Sequence, residues 1–391
     1  MKKTILLSAV ICVYCFGIVS AQTWTQKSNH LGAARYDYAG FSINGKGYIG
    51  GGRYAGPFNS LSEWQEYTQA TDTWTVVTPL SSPFTGLSAF SINGYGYVAN
   101  GVNDITYNYD TYKYNQAGNN WATLSSMPYP RLYAASTATA TKGYSIGGYG
   151  FSAEALADLW EYNPVLDLWT EKDTLPLAAA RYNATAFSID GAVYVFGGTD
   201  GNSVLNDLWR YDTLTNHWTA MAPMPATGRE YSISFVINNE AYIIGGSTSS
   251  SEVWKYSPSN NSWLQLPNFP RVHAPVGGVA FTINGKGYIV PANGTSECWE
   301  FTPVTASITD NISNNDGVSL FPNPFSDFIN LKVSTSPKDI PFSIYDISGR
   351  LVYTGKLENE TSLINTSNLS KGIYVLKVGE QGLINLKITK Q

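Results

Sequence analysis

Few side chains in this chain could do chemistry, and the usual reaction centres are missing. The three histidines are His30, His217 and His273, and no two share the close spacing of a local metal site. Each reads as structural or exposed. Cys12 and Cys15 lie in the N-terminal segment, which leaves Cys298 alone. No intramolecular disulfide and no thiolate metal cluster are therefore expected. Neither a Ser-His-Asp order, nor a phosphate loop, nor a zinc motif is present. Carboxylates are plentiful, so an acid–base reaction stays open, with no catalytic residue assigned. What remains is recognition chemistry, carried by Asp37, Arg53, Tyr54, Tyr133, Tyr182, Asn183, Glu230 and Tyr231. Aromatic faces stack on sugar rings, and fixed amides and carboxylates bind hydroxyls; tyrosine also suits protein contacts.

These eight residues are selected by their place in a repeat of about 48 residues. A strand ending in a glycine pair recurs, as in Tyr194-Val195-Phe196-Gly197-Gly198 and Tyr242-Ile243-Ile244-Gly245-Gly246. Its tyrosines, Tyr48, Tyr97, Tyr144, Tyr194, Tyr242 and Tyr288, are spaced 49, 47, 50, 48 and 46 residues apart. Before most of them, alternating residues flank Asn-Gly or Asp-Gly, the signature of a tight β-hairpin. Thirteen residues before four of the tyrosines stand Arg35, Arg131, Arg181 and Arg229; Phe84 and Pro275 take that slot in the other two copies. Arg271 is near the last slot but four residues out of register. The arginine is expected to fix the loop entering each inner strand. The residues after it, and those after the glycine pair, are expected at one mouth of the assembly. There they form a binding funnel rich in Tyr, Asn, Arg and Asp.

A third strand follows, read from Trp160-Glu161-Tyr162, Trp209-Arg210-Tyr211, Trp254-Lys255-Tyr256, Trp299-Glu300-Phe301 and Tyr112-Lys113-Tyr114. Its aromatics point one way and the residue between them the other. Seven residues after Tyr67, Tyr114, Tyr162, Tyr211 and Tyr256 comes the tryptophan of a fourth strand. The last copy lacks that tryptophan and Trp24 is surplus at the start. The strand around Trp24 should therefore complete the last copy and remove two open sheet edges.

Glycine pair, aromatic pair and trailing tryptophan together resemble the kelch repeat, over about residues 22 to 303. The resemblance implies an all-β, six-bladed propeller around a central channel. Some kelch propellers resemble galactose oxidase, a copper radical enzyme, but the copper-ligand motif has no counterpart here; no metal or cofactor is expected. The leading reading is a binding module for a glycan or a protein. The alternative is a metal-independent sugar-modifying enzyme resembling N-acetylneuraminate epimerase (a mutarotase), with Glu230 beside Arg229, or Asp37, as acid–base candidates. A carboxylate and an arginine converging in the channel would favour it.

The remaining chain gives an address. Met1-Lys2-Lys3 and an apolar run to Ile18 read as a secretory signal peptide, residues 1–21. The run is too short to remain as a membrane span, so no transmembrane segment is expected in the mature chain. Loss of Lys2 and Lys3 takes the formal net charge from −5 to −7. An acidic chain without Lys/Arg clusters argues against nucleic-acid binding. Residues 304–317 read as a linker. Residues 318–391 form a small β-sandwich by their alternating strands. Their motifs Pro322-Asn323-Pro324-Phe325, Tyr345-Asp346-Ile347-Ser348-Gly349-Arg350 and Lys371-Gly372-Ile373-Tyr374 resemble the C-terminal sorting domain of the type IX secretion system of Bacteroidetes. The resemblance implies contact with that machinery and passage through the periplasm to the outer cell surface or the medium.

Overall fold

The structure, a computed structural model, describes residues 22–56, 59–246, 250–271, 275–292, 294–303, 318–333, 339–346, 351–379 and 384–390. The expected signal peptide and linker lie outside these, as do Ser247, His273 and the segment 347–350 of the second tail motif. The chain divides into two compact units, whose boundary falls between Pro303 and Val304.

The first unit is built from six four-stranded antiparallel sheets. Their inner strands are Ala39–Ile43, Ser88–Ile92, Ala135–Ala138, Thr185–Ile189, Ile233–Ile237 and Gly278–Ile283, which open blades 1 to 6 in that order. Each inner strand touches the next around the ring, and that of blade 6 touches that of blade 1. The result is a closed propeller around a channel. Blade 6 takes its fourth strand from the start of the unit: Thr23–Lys27 pairs antiparallel with Cys298–Thr302, Trp24 opposite Phe301. Gln22 adds a hydrogen bond from Nε2 to the Pro267 carbonyl at 3.0 Å, next to blade 5.

The repeat fixes how blades join. Each third-to-fourth-strand turn holds an Asp or Asn at positive φ two residues before the tryptophan: Asp72, Asn119, Asp167, Asn216 and Asn261. Asx side chains tolerate that conformation and bond locally. Here the side chain reaches the preceding blade. Asn216 accepts the Asp173 N–H at 3.2 Å and the Tyr211 hydroxyl at 2.6 Å. Asn261 accepts the Ala222 N–H and the Tyr256 hydroxyl, both at 2.9 Å. The same pairs occur at Asp72, Asn119 and Asp167. The neighbouring tryptophan reaches the same junction: Trp218 Nε1 donates to the Asp173 carbonyl and Trp263 Nε1 to that of Ala222, both at 2.8 Å. Trp169 departs, donating to Thr111 Oγ1 instead. Nearer the axis, the glycine before the column tyrosine receives the previous blade's phenylalanine. A Cβ at Gly47, Gly96 or Gly143 would lie within 2.2 Å of Phe281, Phe41 or Phe90 respectively.

The second unit has a three-stranded sheet (Val318–Phe321, Phe328–Val333, Thr361–Asn365) and a four-stranded one (Leu351–Leu357, Ile340–Asp346, Gly372–Val378, Ile384–Lys390). Ile329, Leu331, Phe342, Ile344, Leu376 and Ile388 fill a core between them, as a sandwich requires. Phe325 of the Pro-Asn-Pro-Phe motif is buried in that core, and Tyr374 of the third motif closes it. The motif residues thus hold the sandwich together.

Because the first strand completes blade 6, deleting residues 22–27 should lower the propeller's melting temperature by about 5 °C or more. That follows from exposing the edge of the strand Cys298–Thr302 and the Phe301 face that Trp24 covers, about 3 kcal/mol or more. An unchanged melting temperature would refute this closure.

Candidate functional site

One residue per blade marks the channel mouth, eleven positions before the column tyrosine. All six have positive φ: Asp37, Gly86, Tyr133, Asn183, Tyr231 and Gly277. A backbone hydrogen bond joins each to the next: Gly86 N–H to Asp37 O, Tyr133 to Gly86, Asn183 to Tyr133, Tyr231 to Asn183 and Gly277 to Tyr231, at 2.7 to 3.4 Å. The rim is therefore a belt of left-handed residues linked blade to blade, which aims four side chains at the axis. Non-glycine residues rarely adopt this conformation, and strain of this kind collects at functional sites. Gly86 and Gly277 flank Asp37 and leave its side of the mouth open.

The side chains form a connected cluster. Arg53 Nε donates to Asp37 Oδ2 at 2.8 Å, and its guanidinium lies 5.8 Å from the centre of the Tyr36 ring. Burial would lower the Arg53 pKa; the bond to Asp37 and that carboxylate's charge more than reverse this. Tyr133 and Tyr231 meet edge to face with centroids 6.5 Å apart. Burial, and next the charge of Asp37, push both phenols up, so they stay protonated as donors. Asn183 is buried, and its Nδ2 donates to Glu230 Oε2 at 3.0 Å. Asn183 Oδ1 has no hydrogen-bond partner among the described residues. Below the rim the channel is lined, blade by blade, by small residues: Gly40, Ala89, Ser136, Ala186, Ser234 and Ala280. It encloses cavities of about 210 and 300 Å³.

Of the eight residues singled out from sequence, six meet here: Asp37, Arg53, Tyr133, Asn183, Glu230 and Tyr231. Tyr182 stands to one side. It packs edge-on against Tyr149 at 5.1 Å and lines a lateral pocket of about 500 Å³ with Glu154, Leu177, Asp200 and Asn202. Burial and then the Glu230 charge raise its phenol, which ties it to the rim electrostatically. Tyr54 does not join: among the described residues no side-chain hydrogen bond or ring contact links it to the others.

The arginine column does not serve the mouth. Arg35, Arg131, Arg181 and Arg229 are fully buried. Arg181 forks onto both oxygens of Asp207 at 2.8 Å and onto the Gly197 carbonyl at 3.0 Å. Arg131 pairs likewise with Asp158, Arg229 with Glu252 and Arg35 with Glu63. Arg271, out of register in sequence, reaches Glu297 at 2.9 Å and does the same work in blade 6. Blade 2 replaces the pair by Phe84 against Tyr112 at 5.9 Å. The idea that Arg229 assists Glu230 is corrected: its guanidinium is turned into the blade, committed to Glu252. Asp37 with Arg53 is the carboxylate–arginine pair that the mouth holds. The acids were readable in sequence, two residues before the third-strand tryptophan in blades 3 to 6.

The histidines are separate. His30 is buried, and its pKa is lowered, first by burial. His217 is largely exposed at the start of a fourth strand. Cys298 is buried and its thiol pushed far up by burial. Among the described residues no three His, Cys, Asp or Glu cluster to hold a metal, and no helix is long and apolar enough to cross a membrane.

Six four-stranded blades, a glycine pair in four of them and a belted mouth define a kelch-type propeller. A family model described as a KLHDC2/KLHL20/DRC7 Kelch-repeats domain matches residues 174–291. A second, described as a secretion system C-terminal sorting domain, matches residues 319–391. The chain is thus a kelch-repeat propeller protein with a C-terminal secretion sorting domain. It is similar to the F-box protein AFR of Arabidopsis thaliana, 30% identical over 31% of this chain and 34% of that protein. Beta-scruin of Limulus polyphemus is 29% identical over 40% of this chain and 19% of its own length. Kelch-like protein 23 of Homo sapiens is 30% identical over 46% and 33% respectively. The chain spans about a third or less of these relatives. The solved structure of YjhT superposes with a TM-score of 0.59 over 71% of this chain and 97% of that one, at 17% identity, a likeness of fold.

The buried pairs have a pH signature. Burial alone would raise the Asp207 carboxyl; Arg181 and the Trp209 indole N–H outweigh it and hold the group below its ordinary range. A depressed carboxyl contributes stability that is present above its unfolded pKa and lost as pH falls through the folded one. Asp207→Asn should cost about 2–3 kcal/mol at pH 7, because Arg181 stays buried without its charge partner. The gap to the parent should narrow as pH falls below about 4, where the carboxyl begins to take up its proton. Urea midpoints across that range check this; parallel curves would refute it.

Proposed function

We propose that this chain is an exported recognition module whose channel mouth binds a carbohydrate. The observation that carries the reading is the convergence, on a rigid belt, of an Asp37–Arg53 pair, two protonated tyrosines and an Asn183–Glu230 pair. Such a rim offers ring faces for stacking and both donors and acceptors for hydroxyls. The channel beneath is narrow and lined by small side chains. A protein ligand presenting a polar loop is the competing occupant.

The sorting domain supports export by type IX secretion to the cell surface or outside. We propose that residues 1–21 direct the chain to the periplasm, residues 22–303 form the cargo, residues 304–317 link it, and residues 318–391 engage the secretion machinery. Truncation after residue 303 should then leave the propeller in the periplasm; fractionation of the expressing cells reads this out. Efficient release of the truncated chain would refute the assignment.

The binding reading is tested on residues 22–391 with a broad glycan array. A hit whose signal falls at least tenfold in Tyr133→Ala and in Arg53→Ala supports it. A blank array, with capture of a protein partner abolished by the same substitutions, would replace the sugar by a protein.

The Asp37–Arg53 pair favours one second reading, metal-independent sugar mutarotation by an acid–base residue at the mouth. Polarimetry or NMR of freshly dissolved reducing sugars should show anomer exchange speeded by the parent and not by Asp37→Asn. Equal rates for the two would exclude it.

A further inference from the structure

We propose that the subsite around Glu230 and Asn183 receives a protonated primary amine, so that the ligand is a sugar with a free amino group. This rests on the carbohydrate reading above and narrows it.

The charge on the mouth side points this way. The loops entering the inner strands and those after the glycine pairs contain no lysine. Their arginines, Arg35, Arg53, Arg131, Arg181, Arg229 and Arg271, are each paired with a carboxylate. Among the described residues Asp104, Asp110, Glu154, Asp200 and Glu230 have no cation, and Asp173 has only His217. Most of these are already engaged. Asp104 accepts from Ser60, Asp110 from Ser126, and Asp200 from two backbone N–H groups.

Glu230 differs because a buried, unpartnered acceptor stands beside it. Asn183 is 6% exposed, and its Nδ2 is committed to Glu230 Oε2. Turning the amide over would set its oxygen against the carboxylate, so the orientation is fixed by charge. Asn183 Oδ1 then lacks a donor, and Glu230 Oε1 has no hydrogen bond among the described residues. Two acceptor oxygens and one uncompensated negative charge ask for a donor-rich cation. A buried acceptor left unmatched costs about 1–3 kcal/mol, so the ligand gains by supplying the donor. A hydroxyl would satisfy one oxygen and leave the charge; an ammonium carries three donors and the charge together. Calcium takes about six to eight oxygens, more than one carboxylate and one amide offer. The Tyr182 and Tyr231 phenols feel the Glu230 charge and, held protonated, bring no competing positive charge. Arg53 does not compete, because Asp37 already neutralises it.

The test is calorimetric titration of residues 22–391 with four probes: a glucosamine oligomer, the N-acetylated oligomer of equal length, a sialylated trisaccharide and a lysine-containing peptide. The free-amine oligomer should bind at least tenfold tighter than its N-acetylated counterpart, with the sialylated sugar weakest. Glu230→Gln should abolish that preference, bringing the two oligomers to equal affinity. Asp110→Asn should keep the preference, since general attraction to an acidic face would respond to both. The parent's preference should also shrink from low salt to half-molar salt, which reads the charge without any substitution. Equal or tighter binding of the N-acetylated oligomer overturns the amine while leaving the carbohydrate reading intact. A preference that survives Glu230→Gln overturns the assigned subsite. Binding of the peptide alone, or of no oligosaccharide, overturns this proposal together with the carbohydrate reading.

Discussion

The propeller depends on the contact between successive blades, and at five of the six junctions that contact is centred on one left-handed Asp or Asn. A four-stranded sheet cannot bury its faces alone, so each blade is stable only against its neighbours. Apolar packing of Phe on Gly supplies area but little direction. The Asx side chain supplies direction. It accepts a tyrosine hydroxyl from its own blade and a main-chain N–H from the previous one, which sets the offset between them. Repeating the offset closes the ring after six blades. The junction between blades 5 and 6 lacks such a turn, because blade 6 is split between the two ends of the unit. Gln22 and Trp24 cover it instead, and the Trp24 indole N–H is left without a partner. Strand pairing closes blade 6 itself, and its junction with blade 5 is held by the Gln22 bond to Pro267 and by Trp24 packed edge-on against Phe269.

A second column of interactions frees the mouth to vary. The buried arginines bind the acid before the third strand and the glycine-pair carbonyl, and so lock the loop entering each inner strand from beneath. With that anchor in place, the next residues can be held at positive φ and linked by backbone bonds around the rim. The rim side chains then carry no structural duty. That is why Asp37, Tyr133, Asn183 and Tyr231 can differ from blade to blade on one scaffold. Blade 2 shows the limit: Phe84 and Tyr112 replace the ion pair, and its rim position is glycine.

The fold was legible because its determinants are periodic. Tryptophan, glycine pair and tyrosine columns each answer a requirement that recurs from blade to blade, so spacing exposes them even though blades 2 and 6 lack the glycine pair. The junction clamp was equally periodic, two residues before each fourth-strand tryptophan, yet Asp and Asn in a polar turn look like ordinary turn residues. Arg271 escaped for another reason: four extra positions hide its register, while space brings it to Glu297 all the same. The mouth was legible in position and only partly in contact. Counting from the tyrosines found six residues that meet, but also Tyr54, which does not, because a residue after the glycine pair can turn either way. Counting also paired Glu230 with its neighbour Arg229. On a strand entry adjacent side chains diverge, so one went to the rim and the other into the blade.

That divergence decides the electrostatics of the site. Were Arg229 at the mouth, Glu230 would be neutralised and the rim would suit any hydroxylated ligand. With Arg229 spent on Glu252, the Glu230 charge has, among the described residues, the Asn183 amide to stabilise it, and the oxygen of that amide has no partner among them. Across the channel Arg53 is balanced by Asp37. The mouth thus holds one neutralised carboxylate, Asp37, close to the Tyr133 and Tyr231 phenols, and one, Glu230, without an ion-pair partner among the described residues. Specificity of this kind arises from which partner the buried arginine takes, a choice made inside the blade and read at the surface.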